Sequence, residues 1–312
     1  MCGAGWGVWS ALRGHGTELE LLAKRPGAVP WLAAAVASDA FGLLFGAAAW
    51  RYVLASLGSS LGCRVTAGVF SAALLGKYLP GPAVNVAASV HMGRRAGVPA
   101  ARMMGTYLLN SLVLLVTAAA VGMFAAPSLP GGRVLLLIPV LLLGAALMWR
   151  PGLVVALAKF VGRTLHRPMS TLHVEARCLR VAILLECASW LVWGLHLWFI
   201  AQVLGADGTT VPFVCVGGFA LAAAAGALAL VVPDGAGVRE LVLIAVLSTV
   251  IPTPQAAAAA LASRACCIVT EVVGAALALL MTHLPGARPL EEAAGRPIPN
   301  APESRVSAAE RR

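Results

Sequence analysis

Apolar runs of roughly the length that crosses a lipid bilayer recur along this sequence. A helix needs about 20 consecutive apolar residues to span the hydrocarbon core, and such runs follow one another here with short segments rich in Arg, Gly and Pro between them. Of the 312 residues, 60% are hydrophobic and only 12% are charged. A soluble domain of this size could not bury so much apolar surface. The sequence therefore predicts an all-α, polytopic transmembrane helix bundle.

The apolar runs are of two kinds, uninterrupted and broken. Uninterrupted spans are predicted at 29–50, 103–125, 133–149, 181–204 and 259–283. Two further segments, 65–92 and 212–250, are each interrupted by Pro and Gly. We expect three regions in the chain: an N-terminal segment, 1–28, that looks like a truncated first helix; a transmembrane domain, 29–283; and a disordered cytoplasmic tail, 284–312.

The distribution of positive charge predicts the orientation in the membrane. Lys and Arg in short loops favour the cytoplasmic side, and most of them fall on one side if the first span runs inward. The exception is the N-terminal segment, which would lie outside with Arg13, Lys24 and Arg25. The sequence thus predicts a multi-pass protein of the cell membrane with a cytoplasmic C-terminus. The net charge of +10 is explained by these loops, and no nucleic-acid partner is expected.

The two broken segments predict re-entrant hairpins. Their arms are short for a full crossing, except for the first arm of the second segment, and they meet at Pro and Gly. The breaks lie at Pro80 and Gly81 in one segment and at Pro233, Gly235 and Gly237 in the other. Interrupted helices at corresponding places in two halves are typical of a transporter binding site. We expect an inverted repeat with its site between the hairpins; alternatively, the second break is an ordinary loop between two full spans.

Charged and polar side chains at membrane depth indicate where such a site would lie, because they are costly there unless they face a cavity or a partner. At the breaks these are Lys77, Asp234, Arg239 and Glu240. A secondary polar set on the uninterrupted spans consists of Asn110, Glu186, Arg264 and Glu271. Helical spacing also places Ser189, Trp193 and His196 on the face of Glu186. The alternative is that these groups only hold helices together by internal ion pairs and hydrogen bonds.

No catalytic residue, cofactor or metal site is predicted from sequence motifs. The seven cysteines show no CxxC pair and no histidine at the spacing of a zinc site. The six histidines are scattered singly, and no hydrolase or nucleotide-binding motif is present. We therefore interpret the cysteines as small apolar residues of the bundle and expect the protein not to be an enzyme.

Four short motifs give the chain a resemblance to a known family, the transmembrane region of lysylphosphatidylglycerol synthases and its stand-alone relatives of the UPF0104 group. The motifs are Trp50-Arg51, Gly76-Lys77-Tyr78-Leu79-Pro80-Gly81, Arg94-Arg95-Ala96-Gly97-Val98 and Pro233-Asp234-Gly235-Ala236-Gly237-Val238-Arg239-Glu240. The resemblance covers 29–283. In larger members this region looks like a flippase for aminoacylated phosphatidylglycerol, and a separate soluble domain makes the lipid. We expect that synthase domain to be absent here. A departure is Asn110, where the family often has an acidic residue.

The resemblance and the charges together lead to a hypothesis of lipid translocation. The substrate would be an anionic or aminoacylated phospholipid or a related lipid-linked headgroup. The predicted substrate-binding residues are Arg51, Lys77, Tyr78, Arg94, Asp234, Arg239 and Glu240. One alternative is a non-transporting membrane partner of an enzyme that glycosylates or aminoacylates a lipid or polyprenyl carrier. Another is an intramembrane transferase that uses Glu240 or Asp234 as a base.

Overall fold

The computed structural model describes residues 27–78, 82–128, 142, 174–229 and 233–283, which form a bundle of eight α-helices with no strand among them. The helices are α1 (Ala28–Ser56), α2 (Cys63–Gly76), α3 (Pro82–Arg95), α4 (Ala100–Gly122), α5 (Ala176–Val203), α6 (Val211–Leu228), α7 (Val238–Leu247) and α8 (Thr253–His283). Short 3₁₀ turns, Met123–Ser128 and Pro233–Gly235, follow α4 and precede α7. The predicted polytopic helical bundle is confirmed.

Among the described residues, five helices are long and apolar enough to cross a membrane: Ala28–Ser56, Ala100–Ala125, Ala176–Val203, Val211–Leu228 and Thr253–Met281. Four of them coincide with predicted uninterrupted spans. The fifth, α6, is the first arm of the second broken segment. The remaining predicted span, 133–149, lies outside the described residues except for residue 142, and so do 1–26 and the tail from 284 onward.

The interface between α1 and α5 brings two backbones close together because glycine lies at the contact. A Cβ added at Gly42 would be 2.5 Å from Cβ of Trp193, so only glycine fits this position. Hydroxyl groups form hydrogen bonds across the same interface: Ser189 Oγ donates to the Gly42 carbonyl at 2.8 Å, and Ser38 Oγ donates to the Val192 carbonyl at 2.5 Å. Small residues and hydroxyl groups at helix contacts are typical of membrane bundles, in which lipid is as apolar as the side chains.

The first broken segment folds into a helical hairpin. Helices α2 and α3 pack against each other, and α2 also packs against α8. Each arm has 14 residues, which corresponds to roughly 21 Å at about 1.5 Å per residue. This is shorter than the hydrocarbon core of about 30 Å. The hairpin tip begins at Lys77 and Tyr78, whereas Pro80 and Gly81 lie outside the described residues.

The second broken segment forms a hairpin with unequal arms. Helix α6 has 18 residues and packs against α7, which has only 10. In the described part of the break, 233–237, three residues have positive φ: Asp234 (49°), Gly235 (61°) and Gly237 (86°). A Cβ on Gly235 would be 2.3 Å from the Gly226 Cα, so the break is pressed onto α6. Such backbone is strained for residues other than glycine. Whether either hairpin enters the membrane from one side stays a prediction.

The helix ends gather at two opposite faces of the bundle. At one of them, the Glu175 amide donates to the Ser56 carbonyl at 2.8 Å and Arg102 donates to the Gly58 carbonyl at 2.9 Å, which joins the end of α1 to the starts of α5 and α4. We call it the basic face, after its residues Arg51, Arg64, Arg94, Arg95, Arg102, Arg177 and Arg180. At the opposite face the ring of Trp31 contacts Phe199. The described residues of that face include Asp207 and no Lys or Arg.

Candidate functional site

The tips of the two broken segments meet in a group of charged side chains. Lys77, at the first tip, places its Nζ 3.2 Å from Oδ1 of Asp234, at the second tip. Helix α8 passes both tips and supplies further charged side chains. We call this group the break cluster; it consists of Lys77, Tyr78, Asp234, Glu240, Arg264 and Glu271. The two breaks are more than 150 positions apart in the sequence, and the fold brings them into contact.

Glu271 of α8 is held by the first tip. Its carboxylate accepts a hydrogen bond from Lys77 Nζ at 2.7 Å on one oxygen and from the Tyr78 hydroxyl at 2.6 Å on the other. The Glu271 side chain is fully buried, whereas that of Lys77 is 19% exposed. A buried carboxylate is costly unless it is paired and hydrogen bonded. Both oxygens of Glu271 meet this requirement.

Arg264, two turns earlier on α8, is held by the second tip. Its guanidinium lies 3.2 Å from Oδ2 of Asp234 and donates to Oε1 of Glu240 at 2.8 Å. The other oxygen of Glu240 accepts from the Gly237 amide at 2.6 Å and so caps the start of α7. Asp234 is therefore shared between two cations, Lys77 and Arg264. The second tip and the start of α7 are fixed to α8 by the same arginine.

Arg239, the basic residue of α7, lies beside the break cluster and contacts a sulfur atom and an aromatic ring. Its guanidinium is 3.3 Å from the Cys267 sulfur and stacks 4.8 Å from the centre of the Phe219 ring. The residue is buried, and it follows the second break by only a few positions. The break cluster has one more carboxylate than cation, and Arg239 balances that charge. A charged ligand could bind here by replacing the present ion-pair partners of these side chains, because the cations are donors and the carboxylates are acceptors.

The other predicted residues lie away from the break cluster. Arg51 donates from Nε to the Leu61 carbonyl at 2.9 Å and from Nη1 to the Cys63 sulfur at 3.3 Å, at the base of the first hairpin. Arg94 is exposed at the C-terminal end of α3, on the same basic face. Asn110 is half-buried on α4, and Glu186 is buried on α5. Of the secondary set, Arg264 and Glu271 are thus the members that reach the break cluster.

Sequence reasoning missed Asp39, a fully buried carboxylate on α1. It accepts hydrogen bonds from Trp193 Nε1 at 2.5 Å and from the Thr270 hydroxyl, and the Cys267 thiol is 3.2 Å away. His196 lies on the other side, with Nδ1 3.7 Å from Oδ1 of Asp39. The sequence did contain a signal for this residue, because Asp39 is the one acidic residue in the apolar sequence of α1. The rule that singles out charge at membrane depth applies to it as it does to Glu271.

Comparison with known proteins identifies the family of the chain. A family model described as lysylphosphatidylglycerol synthase TM region matches residues 4–274. The match includes both broken segments and all residues of the break cluster, and it starts 25 residues before the resemblance seen in the sequence, at 29. No similar protein is found among curated proteins. Because the matched region is most of the chain, the protein belongs to the family of lysylphosphatidylglycerol synthase transmembrane regions.

Proposed function

We propose that this chain is a lipid translocase without enzymatic activity of its own. The observation that carries the proposal is the contact between two helix breaks, at which Lys77 of one tip pairs with Asp234 of the other. Broken helices that meet at charged residues are a recurring construction of transporter binding sites. Membership in a family of membrane regions from a lipid-modifying synthase supports a lipid as the substrate.

The distribution of charge supports an orientation in the cell membrane. The basic face would be cytoplasmic, since Lys and Arg in short loops favour that side. Helices α2 and α3 would then enter from the cytoplasm, and α6 and α7 from the opposite side. Glu271, which contacts the first tip, is the nineteenth of the 31 residues of α8. The break cluster would therefore lie near the middle of the bilayer, with the C-terminal end of α8 toward the cytoplasm.

The break cluster offers both charges that a phospholipid headgroup needs. Lys77 and Arg264 would hold the phosphate, with Arg239 close by, because their N–H groups form charge-assisted hydrogen bonds with phosphate oxygens. Asp234, Glu240 and Glu271 would accept from hydroxyl or amino groups of the headgroup. Binding would replace the present ion pairs between the two tips. A ligand that separates Lys77 from Asp234 would thus loosen the contact between the hairpins, as alternating access requires.

Arg51 and Arg94 would act at the membrane surface. They lie at the base of the first hairpin, roughly 20 Å along the helices from its tip. Phosphate groups of the cytoplasmic leaflet lie at this depth and attract basic side chains. We propose that these two arginines gather anionic headgroups before they reach the break cluster.

Leaflet exchange in proteoliposomes tests the proposal. Fluorescent anionic, zwitterionic and aminoacylated phospholipids are reconstituted with the wild-type chain, with Asp234→Asn or with the control Asp207→Asn. Asp207 is exposed in the loop between α5 and α6, far from the break cluster. We expect exchange by the wild type and the control, and a decrease of about tenfold or more for Asp234→Asn, which corresponds to about 1.4 kcal/mol or more.

Two outcomes contradict this assignment in different ways. Exchange that is the same in Asp234→Asn and Lys77→Ala as in the wild type would remove the break cluster from the transport path. No exchange of any tested lipid by the wild-type chain would contradict translocation itself and favour a non-transporting membrane partner of a lipid-modifying enzyme.

A further inference from the structure

A second group of polar side chains lies on the side of α8 that faces α1 and α5. It is formed by Asp39 of α1, His196 of α5 and Cys267 of α8, which are all buried. Each of them offers a ligand atom, and these atoms all lie within 4.8 Å of one another. The residues of the break cluster are not part of it. We infer that Asp39, His196 and Cys267 form a binding site for a divalent cation of the zinc class.

The distances within the group are those of a compact ligand shell. The Asp39 Oδ1 and Cys267 Sγ atoms are 3.2 Å apart, and Cys267 Sγ is 4.0 Å from His196 Nε2. Bonds of about 2.3 Å from zinc to sulfur and about 2.0–2.1 Å to nitrogen put neighbouring ligand atoms of a tetrahedral site roughly 3.3–3.6 Å apart. The Asp39–Cys267 and Cys267–His196 pairs both lie within about 0.5 Å of this spacing.

The surroundings of His196 support its role as a ligand. Nδ1 lies against the Trp193 carbonyl, which fixes that nitrogen as the hydrogen-bond donor of the ring. Histidines that bind metals commonly donate their other N–H to a carbonyl or a carboxylate in this way. Nε2 then keeps its lone pair and is directed toward the Ser263 hydroxyl, at 2.7 Å. The Ser263 hydroxyl donates to this lone pair, and a cation bound at Nε2 would take the place of that hydrogen bond.

The neighbours of the other two ligands also suit a metal. The Thr270 hydroxyl donates to Oδ2 of Asp39, and Trp193 Nε1 donates to Oδ1 at 2.5 Å. Both bonds orient the carboxylate, with Oδ1 3.2 Å from Cys267 Sγ. Arg239 donates to the Cys267 sulfur at 3.3 Å, as suits a thiolate. On binding, the thiol proton is released to solvent and the sulfur bonds to the cation. One aspartate and one thiolate then balance the two positive charges of the ion.

Burial supplies the physical reason for a cation at this position. Asp39 and His196 are both fully buried, and a carboxylate inside a membrane protein needs a compensating charge. Without a metal, either His196 would be protonated on both nitrogens or Asp39 itself would be protonated and neutral. Sequence spacing gave no sign of the site, because its ligands come from three helices that are far apart in the chain. The ion would join α1, α5 and α8 beside the break cluster.

Metal analysis of the purified full chain tests the inference. The wild type, Cys267→Ser and the control Cys266→Ser are incubated with Zn²⁺, passed through gel filtration in metal-free buffer and measured by mass spectrometry of the elements. Cys266 is the neighbouring cysteine, is half-buried and is not a member of the group. We expect about one zinc per chain in the wild type and in Cys266→Ser. In Cys267→Ser we expect the zinc content to be lower by about tenfold or more.

Cobalt gives a second measurement that does not depend on how well Cys267→Ser folds. Co²⁺ bound by the wild type should show a thiolate-to-metal absorption band in the near ultraviolet, and Cys266→Ser should keep it. A folded wild type that retains neither ion after incubation would overturn the site and favour protonation of His196 or of Asp39. Metal retained equally by folded Cys267→Ser would also overturn it. Neither result would affect lipid exchange by the break cluster, which is measured separately.

Discussion

At the scale of single residues, the break cluster depends on hydrogen bonds to buried carboxylates. The Tyr78 hydroxyl donates to Glu271 at 2.6 Å, and Tyr78→Phe would leave one oxygen of a fully buried carboxylate without this donor. We expect a loss of about 2 kcal/mol in the free energy of unfolding, since hydrogen bonds to charged groups are worth about 1.5–3 kcal/mol. Unfolding in mixed micelles by added denaturing detergent measures it. The control Tyr52→Phe changes a tyrosine that is 39% exposed, and a loss of equal size there would contradict the argument.

Most residues of the break cluster could be predicted from sequence, but their partners could not. Lys77, Asp234 and Glu271 stood out because charge is rare in apolar runs. Their pairing depends on contacts between residues as many as 194 positions apart, which no local pattern encodes. The prediction that Arg51 and Arg94 bind the same headgroup came from the family motifs, and the fold places both at the basic face. Asp39 was missed although the same rule identifies it.

At the scale of elements, the second break depends on how closely it approaches α6. Gly235→Ala would put a Cβ 2.3 Å from the Gly226 Cα, at a φ of 61°. Gly237→Ala is the matched control, because its φ of 86° is also positive but nothing lies within 4 Å of the added Cβ. Both changes carry a left-handed strain of about 1–2 kcal/mol, and only Gly235→Ala adds the clash. We expect the midpoint of thermal unfolding to fall clearly further for Gly235→Ala. Equal decreases in the two variants would contradict the close approach.

The positions of the breaks could be predicted because Pro and Gly interrupt apolar runs at a definite place. The unequal arms of the second hairpin are visible in the same pattern, and α6 is long enough to be a candidate span. What local sequence could not give is the tight packing of the break on Gly226 and the capping of α7 by Glu240. Both depend on where the chain returns after the break.

At the scale of the whole molecule, the two faces differ in charge, and this predicts the orientation in the membrane. Thiol accessibility in intact cells tests it with two single changes that add a cysteine to opposite faces. Ser60→Cys lies in the exposed loop between α1 and α2, at the basic face, and Asp207→Cys lies in the exposed loop after α5, at the opposite face. Since basic loops favour the cytoplasm, a membrane-impermeant maleimide should add label to Asp207→Cys in intact cells. The same reagent should add label to Ser60→Cys only after the cells are permeabilised. Labelling is compared with the parent chain, because its own cysteines contribute equally to both variants. The reverse pattern would place the basic face outside and would exchange the sides from which the two hairpins enter.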